Sequence, residues 1–307
     1  MAKDDILNLV IGIAVIGGAA YAIHAGYLGK AVDALLNLKL PGLPGGGGTG
    51  NGGGGDGSGN GGGGTGNGGG GGTVSGDSFA AAGDWGSGRN NKWQSVVSAM
   101  EKLKPSVGLI PGDMSYTNVA DFKKVTDGIK KFANKVYGAN GNHDGGGYAT
   151  LFDGYSNSVV NVGQMSIMLL DTEKGSASVT FGKANLSKMT GKFKIVVFHK
   201  PIVTSPSDHK PDEGGIKALV PEFEKAKVNL VIQAHNHNYQ RFSPKNGVTY
   251  TVVGTGGEGL YKLKGSGSGV VKQDDKTFGF LYGKVVNSVL QCKFISTGGA
   301  TVDSFNV

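Results

Sequence analysis

Side chains that can bind metal ions stand at the ends of several short apolar runs in this chain. Asp113 follows the run 107–110 and a Pro-Gly pair, a pattern typical of a buried strand that ends in a loop. The other side chains in such positions are Asp84, Asn142, His143, His199, His235 and His237. Because ligands bind at the carboxyl ends of strands in open α/β sheets, we expect these side chains to meet at one sheet edge.

These residue types indicate a hydrolytic site with two metal ions. One carboxylate, such as that of Asp113, can place one oxygen on each of two ions about 3.5–4 Å apart. His235 and His237 are two residues apart, so each can serve a different ion from one irregular segment. A single Asp after a strand is more often a turn or cap residue, and a single His is more often structural. The set is more specific, because every histidine after residue 30 lies in it or in a nearby loop.

As a set, the motifs resemble those of the calcineurin-like metallophosphoesterase superfamily and, within it, the purple acid phosphatases. The matching segments are Gly83-Asp84-x-Gly86, Gly112-Asp113-x-x-Tyr116, Gly141-Asn142-His143-Asp144, Val196-x-x-His199 and His235-x-His237-x-Tyr239-x-Arg241. The resemblance covers roughly residues 78–307. It departs from the family at Ala234, where a glycine is usual.

The resemblance implies a binuclear centre with a bridging carboxylate, and hydrolysis of phosphate esters by a metal-bound hydroxide. Site one would comprise Asp84, Asp113, Tyr116 and His237, and site two Asp113, Asn142, His199 and His235. His143 and His209 would bind phosphate and protonate the leaving oxygen. Tyr239 and Arg241 are expected to support the site rather than to react.

Tyr116 and Gly86 place the chain among the purple enzymes. Most members of the superfamily have a histidine ligand where this chain has Gly86, which cannot coordinate a metal. Tyr116 would replace that ligand, and a phenolate is a hard anionic donor that suits Fe(III). The resemblance therefore implies Fe(III) in site one and a divalent ion, Fe, Zn or Mn, in site two.

The pattern beyond residue 78 predicts an α/β fold. Strand-like runs occur at 79–82, 107–110, 135–137, 158–171, 194–198, 228–234, 249–253 and 278–305, and helical spacing at 93–103, 119–132 and 216–226. This order, with the resemblance, predicts the four-layer αββα sandwich of the metallophosphoesterases, preceded by a transmembrane helix and a polyglycine linker.

The first 40 residues predict a membrane anchor. Residues 6–29 contain no Asp, Glu, Lys or Arg, and this length suffices to span a bilayer as a helix. A cleaved signal peptide is the alternative. Small residues at a four-residue spacing, Ala14, Gly18, Ala22 and Gly26, would allow self-association of the helix. We expect domains at 1–40 (anchor with a short amphipathic extension), 41–77 (flexible glycine-rich linker) and 78–307 (catalytic domain).

Composition sets broad limits. The net charge of +7 and the pI of about 9.2 favour anionic substrates, but no block of basic residues indicates specific nucleic-acid binding. Cys292 is the one cysteine, which excludes a disulfide framework.

The sequence therefore predicts a membrane-tethered binuclear phosphatase with a phosphorylated small-molecule or protein substrate. By resemblance the catalytic domain lies outside the cytoplasm, although the count of Lys and Arg around 6–29 leans slightly the other way. The alternative is a structural or interaction protein that assembles on a membrane or particle and displays a phosphate-binding domain.

Overall fold

A computed structural model describes residues 11–16, 19–24 and 77–307. The chain divides into two compact units, 1–68 and 69–307. Within the first unit, β1 (Ile11–Ile16) and β2 (Ala19–His24) form an antiparallel pair. None of the described residues forms a helix that is long and apolar enough to cross a membrane.

These two strands are the only described part of 6–29, so the predicted anchor as a whole stays a prediction. The sequence of the strands is consistent with a hairpin, because β-branched residues are frequent in 11–16 and a Gly-Gly pair follows in the sequence. The rest of the predicted anchor and the linker up to residue 76 lie outside the described residues.

The second unit contains two seven-stranded sheets. The strands of the first, in spatial order, are β16 (Thr301–Asn306), β15 (Val289–Ser296), β14 (Gly279–Val286), β3 (Ser78–Ala81), β4 (Val107–Pro111), β5 (Lys135–Ala139) and β6 (Gly154–Tyr155). Those of the second are β13 (Val270–Asp274), β11 (Tyr239–Phe242), β12 (Thr249–Val253), β10 (Leu230–Gln233), β9 (Phe193–Val197), β8 (Met165–Leu169) and β7 (Ser158–Val162).

Helices cover the outer faces of the two sheets. Buried residues of α1 (Lys92–Glu101) and α2 (Val119–Lys130) pack in one cluster with residues of the first sheet. The outer cluster of the second sheet includes residues near α3 (Gly175–Asn185) and α4 (Val220–Lys225), such as Leu219 and Phe223. A third cluster, with Phe79, Leu109, Ile195 and Ile232, fills the space between the sheets. The predicted four-layer sandwich is thus confirmed.

Most of the predicted elements occur close to their predicted positions. The predicted helix at 216–226 begins as a 3-10 turn, Gly215–Leu219, before α4. The sequence did not predict α3, whose residues include Gly, Ser and β-branched types with low helix propensity. Packing against the second sheet stabilises this helix, since Ser178 and Gly182 are buried.

The central strands β3, β4 and β5 are parallel to one another, as are β8, β9, β10 and β12. Their carboxyl ends therefore lie at one edge of each sheet, and the loops that follow them meet there.

Candidate metal centre

Five of these loops bring the sequence-predicted residues together. The first sheet supplies Asp84 after β3, Asp113 after β4 and Asn142 after β5. The second sheet supplies His199 after β9 and the pair His235 and His237 after β10. The centre is thus built across the two sheets.

The residues form two donor clusters that share one carboxylate. Ligand atoms of Asp113, His199 and His235 all lie within 4.8 Å of one another, and so do those of Asp84, Asp113 and His237. Oδ1 of Asp113 lies 3.2 Å from Nε2 of His199. The two clusters have the composition that two metal ions with a bridging carboxylate require.

Tyr116 and Asn142 each add an oxygen to one cluster. The Tyr116 hydroxyl lies 3.1 Å from Oδ2 of Asp113, 3.1 Å from Nε2 of His237 and 3.4 Å from Asp84. The side-chain oxygen of Asn142 lies 3.1 Å from Nε2 of His199. The cluster with Tyr116 thus contains two carboxylates, a phenol and an imidazole. The cluster with Asn142 contains a carboxylate, a neutral amide and two imidazoles.

Hydrogen bonds orient two of the imidazoles toward the clusters. Nδ1 of His199 lies 2.9 Å from the carbonyl oxygen of Pro111, and Nδ1 of His237 lies 2.8 Å from that of Gly259. A carbonyl only accepts, so each Nδ1 carries a proton and each Nε2 faces a cluster, where it would bind a metal ion through its lone pair once it has lost its own proton. Metal-binding histidines commonly use this arrangement. The donor set therefore fits a pair of metal ions.

The backbone is strained at three of these positions. Asp84, Asp113 and His235 have φ angles of 59°, 47° and 69°, in the left-handed region that residues other than glycine rarely adopt. Such strain is frequent at functional sites, where the surrounding structure enforces it.

Two glycines allow the loops to approach one another. A Cβ atom at Gly112 would lie 2.6 Å from Nδ1 of His199, and one at Gly141 would clash with the backbone and carboxylate of Asp113. Ala234, the departure from the family pattern, packs in the same way against a glycine, since a Cβ atom at Gly83 would lie 2.6 Å from its own Cβ. These contacts explain why the motifs are rich in glycine.

The ionisation of the cluster residues reflects their burial and their neighbours. Burial alone would raise the pKa of Asp113, but the charge and hydrogen bond of His199 lower it. Burial would lower the pKa of His199, yet Asp113 raises it to about 10. Burial, followed by the carboxylates of Asp84 and Asp113, raises the pKa of Tyr116 far above its usual value. In the absence of a cation, the Tyr116 hydroxyl and the His199 ring therefore keep their protons while Asp113 stays ionised, and a bound metal ion would take the place of those protons.

His143 and His209 flank the clusters without belonging to either. The side chain of His143 is 48% exposed, and its ring contacts Tyr116 with the centroids 4.4 Å apart. Its backbone N–H donates to Oδ1 of Asp113 at 3.0 Å. The His209 ring stacks on His235 at 3.7 Å. Both rings thus contact residues of the donor clusters, and their catalytic roles stay predictions.

Tyr261 also belongs to this site, and the sequence analysis did not include it. Its ring stacks on His237 with the centroids 3.8 Å apart, and its N–H donates to the His237 carbonyl at 2.8 Å. Burial and the charge of Asp84 raise the pKa of its hydroxyl to about 12. The signal that could have indicated it is the glycine-rich stretch 254–259, a loop that directly follows β12.

Asp144 holds two of the site loops together. Its carboxylate accepts hydrogen bonds from the N–H groups of Met114, at 2.8 Å, and Gly141, at 2.7 Å. Burial, followed by the charge of Asp113, raises the pKa of Asp144 to about 7.

Tyr239 and Arg241 lie outside the donor clusters. Their side chains donate hydrogen bonds to Asp303 instead.

Comparison with known families agrees with this geometry. Residues 78–239 match the family model of the calcineurin-like phosphoesterases. The chain belongs to this family. It is 25% identical over 231 residues to a protein of Arabidopsis thaliana named Probable purple acid phosphatase 20, an alignment that covers 59% of this chain and 52% of that protein. The chain thus spans about half the length of the curated relative that it matches.

Solved structures support the fold. The purple acid phosphatase PPD1 from yellow lupin (Lupinus luteus) seeds superposes with a TM-score of 0.62 at 18% identity, over 75% of this chain and 53% of that one. GAP50, the anchor in the inner membrane complex of Plasmodium, superposes with a TM-score of 0.55 at 16% identity, over 75% of this chain and 88% of that one. The resemblance to purple acid phosphatases seen in the motifs is confirmed.

Proposed function

We propose that this chain is a binuclear metal-dependent phosphatase that hydrolyses phosphate esters. The observation that carries the proposal is Asp113, a single buried carboxylate that belongs to both donor clusters. Family membership supports it, because calcineurin-like phosphoesterases act on phosphate esters with divalent metal ions.

We further propose Fe(III) in the cluster with Tyr116 and a divalent ion, Fe, Zn or Mn, in the cluster with Asn142. Two carboxylates and a phenol favour the harder, more highly charged ion. Asn142 is neutral, so its cluster carries less negative charge and suits a divalent ion.

The metal ions, when bound, would supply positive charge for the phosphoryl oxygens and lower the pKa of a coordinated water. The chain's own residues hold and orient the reactants. Burial, followed by the charge of His237, lowers the pKa of His209, so its ring is neutral near pH 7 and can accept a proton or a hydrogen bond. We assign to His143, which lies at the exposed rim, the roles of holding the leaving oxygen and delivering a proton to it.

The direct test is metal analysis of the purified protein, together with hydrolysis of p-nitrophenyl phosphate before and after chelation. We expect two metal ions per chain and activity that is lost with the metals. A protein that binds both ions but releases no phosphate from generic esters would contradict the proposal.

Asp113→Asn should cost more activity than any other change to a single candidate ligand. The substitution removes the one charge that both metal ions would share. We expect metal content below two ions per chain and turnover lowered by at least about 10³-fold. Asp171→Asn is a matched control, because Asp171 is a buried carboxylate after β8 that lies outside both clusters. Two bound metals and near-native turnover in Asp113→Asn would show that Asp113 does not bridge.

The membrane tether and the extracytoplasmic location also remain proposals. Their support is the uncharged stretch 6–29, the glycine-rich segment after it, and the need of a ferric site for an oxidising environment. Self-association through the small residues of 6–29 rests on the same sequence evidence.

A structural role is the second candidate, since GAP50, which shares the fold, is described as an anchor in a membrane complex. A likeness of that size shows the fold alone. The metal and phosphatase measurements above separate the two functions, because a protein that only binds phosphate in a structural assembly is not expected to hydrolyse phosphate esters.

A further inference from the structure

The segments that directly precede the parallel strands form a second edge of unit 69–307, opposite the candidate metal centre. We call this surface the amino edge. Asp77, before β3, accepts hydrogen bonds from the N–H and the side chain of Gln164, before β8, at 3.1 and 2.8 Å. The amino ends of the two sheets therefore lie side by side. A strand of five residues, such as β4, is about 16 Å long and separates this edge from the donor clusters.

Exposed lysines are frequent at the amino edge of both sheets. They include Lys102, Lys104 and Lys131 at the first sheet and Lys192, Lys227 and Lys245 at the second. None of these six side chains makes an ion pair with another residue of the part of the chain that the structure describes. Their charges are therefore available to a partner outside the unit.

Acidic residues are fewer at this edge. Asp77 binds Gln164 as described, and Asp153 pairs with Lys135 at 2.9 Å. The other acidic residues near the edge are Glu101, Glu222 and Glu224. The amino edge thus carries an excess of positive charge.

The opposite edge differs, because several of its lysines already have acidic partners. Lys200 pairs with Glu173 at 2.9 Å, and Lys264 pairs with Asp208 at 2.7 Å. The basic character of the chain is therefore distributed unevenly, with unpaired positive charge on the side away from the metal centre.

Two lysines of the amino edge occupy backbone positions that usually hold glycine. Lys104, after α1, has a φ angle of 45°, and Lys227, after α4, has one of 56°. A left-handed residue directly after a helix is most often glycine, because a Cβ atom is strained there. A positive charge near a helix end is favourable, but it does not need to stand on the strained residue. Local structure therefore does not account for lysine at these two equivalent positions.

An exposed leucine lies among these lysines. Leu103 is 38% exposed and stands between Lys102 and Lys104; Val271, 52% exposed in the edge strand β13, is the other exposed large apolar side chain of the described residues. An apolar side chain surrounded by positive charge suits the interface of an anionic bilayer. Nucleic acid also attracts lysines, but its phosphate backbone offers no apolar phase to a leucine.

The chain enters unit 69–307 at the same edge, because Asp77 directly precedes β3. The glycine-rich segment 45–72 therefore leads to the amino edge, and the uncharged stretch 6–29 lies beyond it in sequence. A flexible glycine-rich chain of this length reaches about 30 Å. An anchor in a bilayer would thus keep the amino edge, rather than the metal centre, close to the lipid surface.

We propose that the amino edge docks on an anionic lipid surface, so that the candidate metal centre faces away from the membrane. This contact does not depend on the proposed phosphatase activity. It adds to the proposed tether an electrostatic attachment that orients the unit. Each lysine close to an anionic bilayer raises the partition onto it by about fivefold.

The test uses the whole chain with an environment-sensitive dye on Leu103→Cys. Cys292 is buried, so the dye should label only the introduced thiol. The emission should shift to the blue with vesicles of phosphatidylcholine that contain phosphatidylglycerol, and not with phosphatidylcholine alone. The shift should disappear at high salt, because screening weakens the attraction. A dye on Ala177→Cys, an exposed position of α3 near the opposite edge, should respond to neither.

Two double variants remove the same charge from opposite edges. Lys104→Gln with Lys227→Gln should lower the docking constant on anionic vesicles by about 10- to 30-fold. The matched control is Lys92→Gln with Lys276→Gln, because both side chains are exposed, at the start of α1 and after β13, and make no ion pair with the described residues. It should change the docking constant less than about 2-fold.

Glycine variants separate docking from folding. Lys104→Gly with Lys227→Gly should weaken docking as much as the glutamine pair, yet the midpoint of thermal unfolding should not fall, because glycine relieves the positive φ angles. Leu103→Ser should weaken docking about 5-fold or more by removing the apolar contact.

A blue shift of equal size on both kinds of vesicle, no shift on either, or equal losses in the two glutamine double variants would overturn the proposal. A stronger response to duplex DNA than to anionic vesicles would overturn it as well, since the amino edge would then serve nucleic acid. Sedimentation with anionic vesicles but not with phosphatidylcholine alone would refute the anchor at 6–29 and still support docking by the amino edge.

Discussion

Gly86 and Tyr116 are the positions at which we propose that one metal ligand replaces another. Gly86 has a φ angle of 58°, and a Cβ atom there would lie 2.8 Å from both Asn90 and Glu258. A larger side chain at position 86 is therefore disfavoured by backbone strain and by its neighbours. The hydroxyl of Tyr116, from the loop after β4, contacts the cluster that a side chain at position 86 would otherwise have to reach.

Tyr116→Phe should abolish visible absorption of the oxidised protein. The proposed ferric ion and the Tyr116 phenolate would form a charge-transfer chromophore, and phenylalanine cannot supply the phenolate. The measurement is the visible spectrum with iron content, and Tyr137→Phe serves as a control because Tyr137 lies in β5, outside both clusters. A colourless, iron-free and fully active protein would refute the assignment of iron to this site.

His143→Ala should keep both metal ions but lower turnover by roughly 10²–10⁴-fold, the usual contribution of a general acid or base. The side chain lies beside Tyr116 and is half-exposed, so its removal leaves the donor clusters intact. Metal content and kcat are measured together. Loss of a metal ion in this variant would place His143 among the ligands instead.

At the scale of elements, the two sheets are joined by a polar tie as well as by the apolar core. Tyr239 and Arg241 of β11 both donate to Asp303 of β16, at 2.8 and 2.6 Å, although these strands belong to different sheets. The Tyr239 ring also stacks on Phe294 of β15 at 4.0 Å. Tyr239 and Arg241, at the end of the last motif, thus link the two sheets.

Asp303→Asn should destabilise the protein at neutral pH by about 3 kcal/mol, the low end of the cost of breaking a largely buried ion pair. Burial would raise the pKa of Asp303, but the hydrogen bonds from Arg241 and Tyr239 lower it below the unfolded value. The stabilisation is therefore present above the unfolded pKa, about 3.9, and is lost as the pH falls through the lower folded pKa.

The measurement is chemical denaturation of metal-free protein at pH 7 and near pH 2, so that loss of metal in acid does not contribute. The difference between Asp303→Asn and the unmodified chain should shrink at the lower pH. Asp127→Asn, which removes the exposed pair with Lys123, should cost less than about 0.5 kcal/mol at either pH. An equal cost of Asp303→Asn at both pH values would contradict the proposed role of the charge.

At the scale of the whole molecule, the chain combines two units of different character. Unit 69–307 contains both seven-stranded sheets and both donor clusters. Residues 45–72, which connect the N-terminal segment to it in sequence, are almost entirely glycine with small polar residues. Such a composition cannot form an apolar core.

A protease of broad specificity, added to intact cells or particles, should release a soluble and active fragment by cleavage between residues 45 and 78. This expectation follows from the predicted anchor at 6–29 and from an extracytoplasmic catalytic domain. The measurements are phosphatase activity in the supernatant and the N-terminal sequence of the fragment. Release only after the membrane is opened would show that the domain faces the cytoplasm.

The sequence by itself determined which residue types are the candidate ligands and that each of them follows a strand. Asp84, Asp113 and His199 each follow an apolar run that forms a buried strand, and such runs are local features that one sequence displays. The motifs were therefore sufficient to predict the layered fold. They did not predict α3, which tertiary packing stabilises against weak local propensity.

Only the tertiary structure decided how these residues combine. The order of strands places β3 between β14 and β4, and this order depends on contacts between segments far apart in the chain. The stacking of Tyr261 on His237 and the position of Arg89 over Tyr116 follow from where the loops cross, which no local pattern records. Local sequence specifies which side chains end each strand, whereas the packing of the two sheets sets the distances between them.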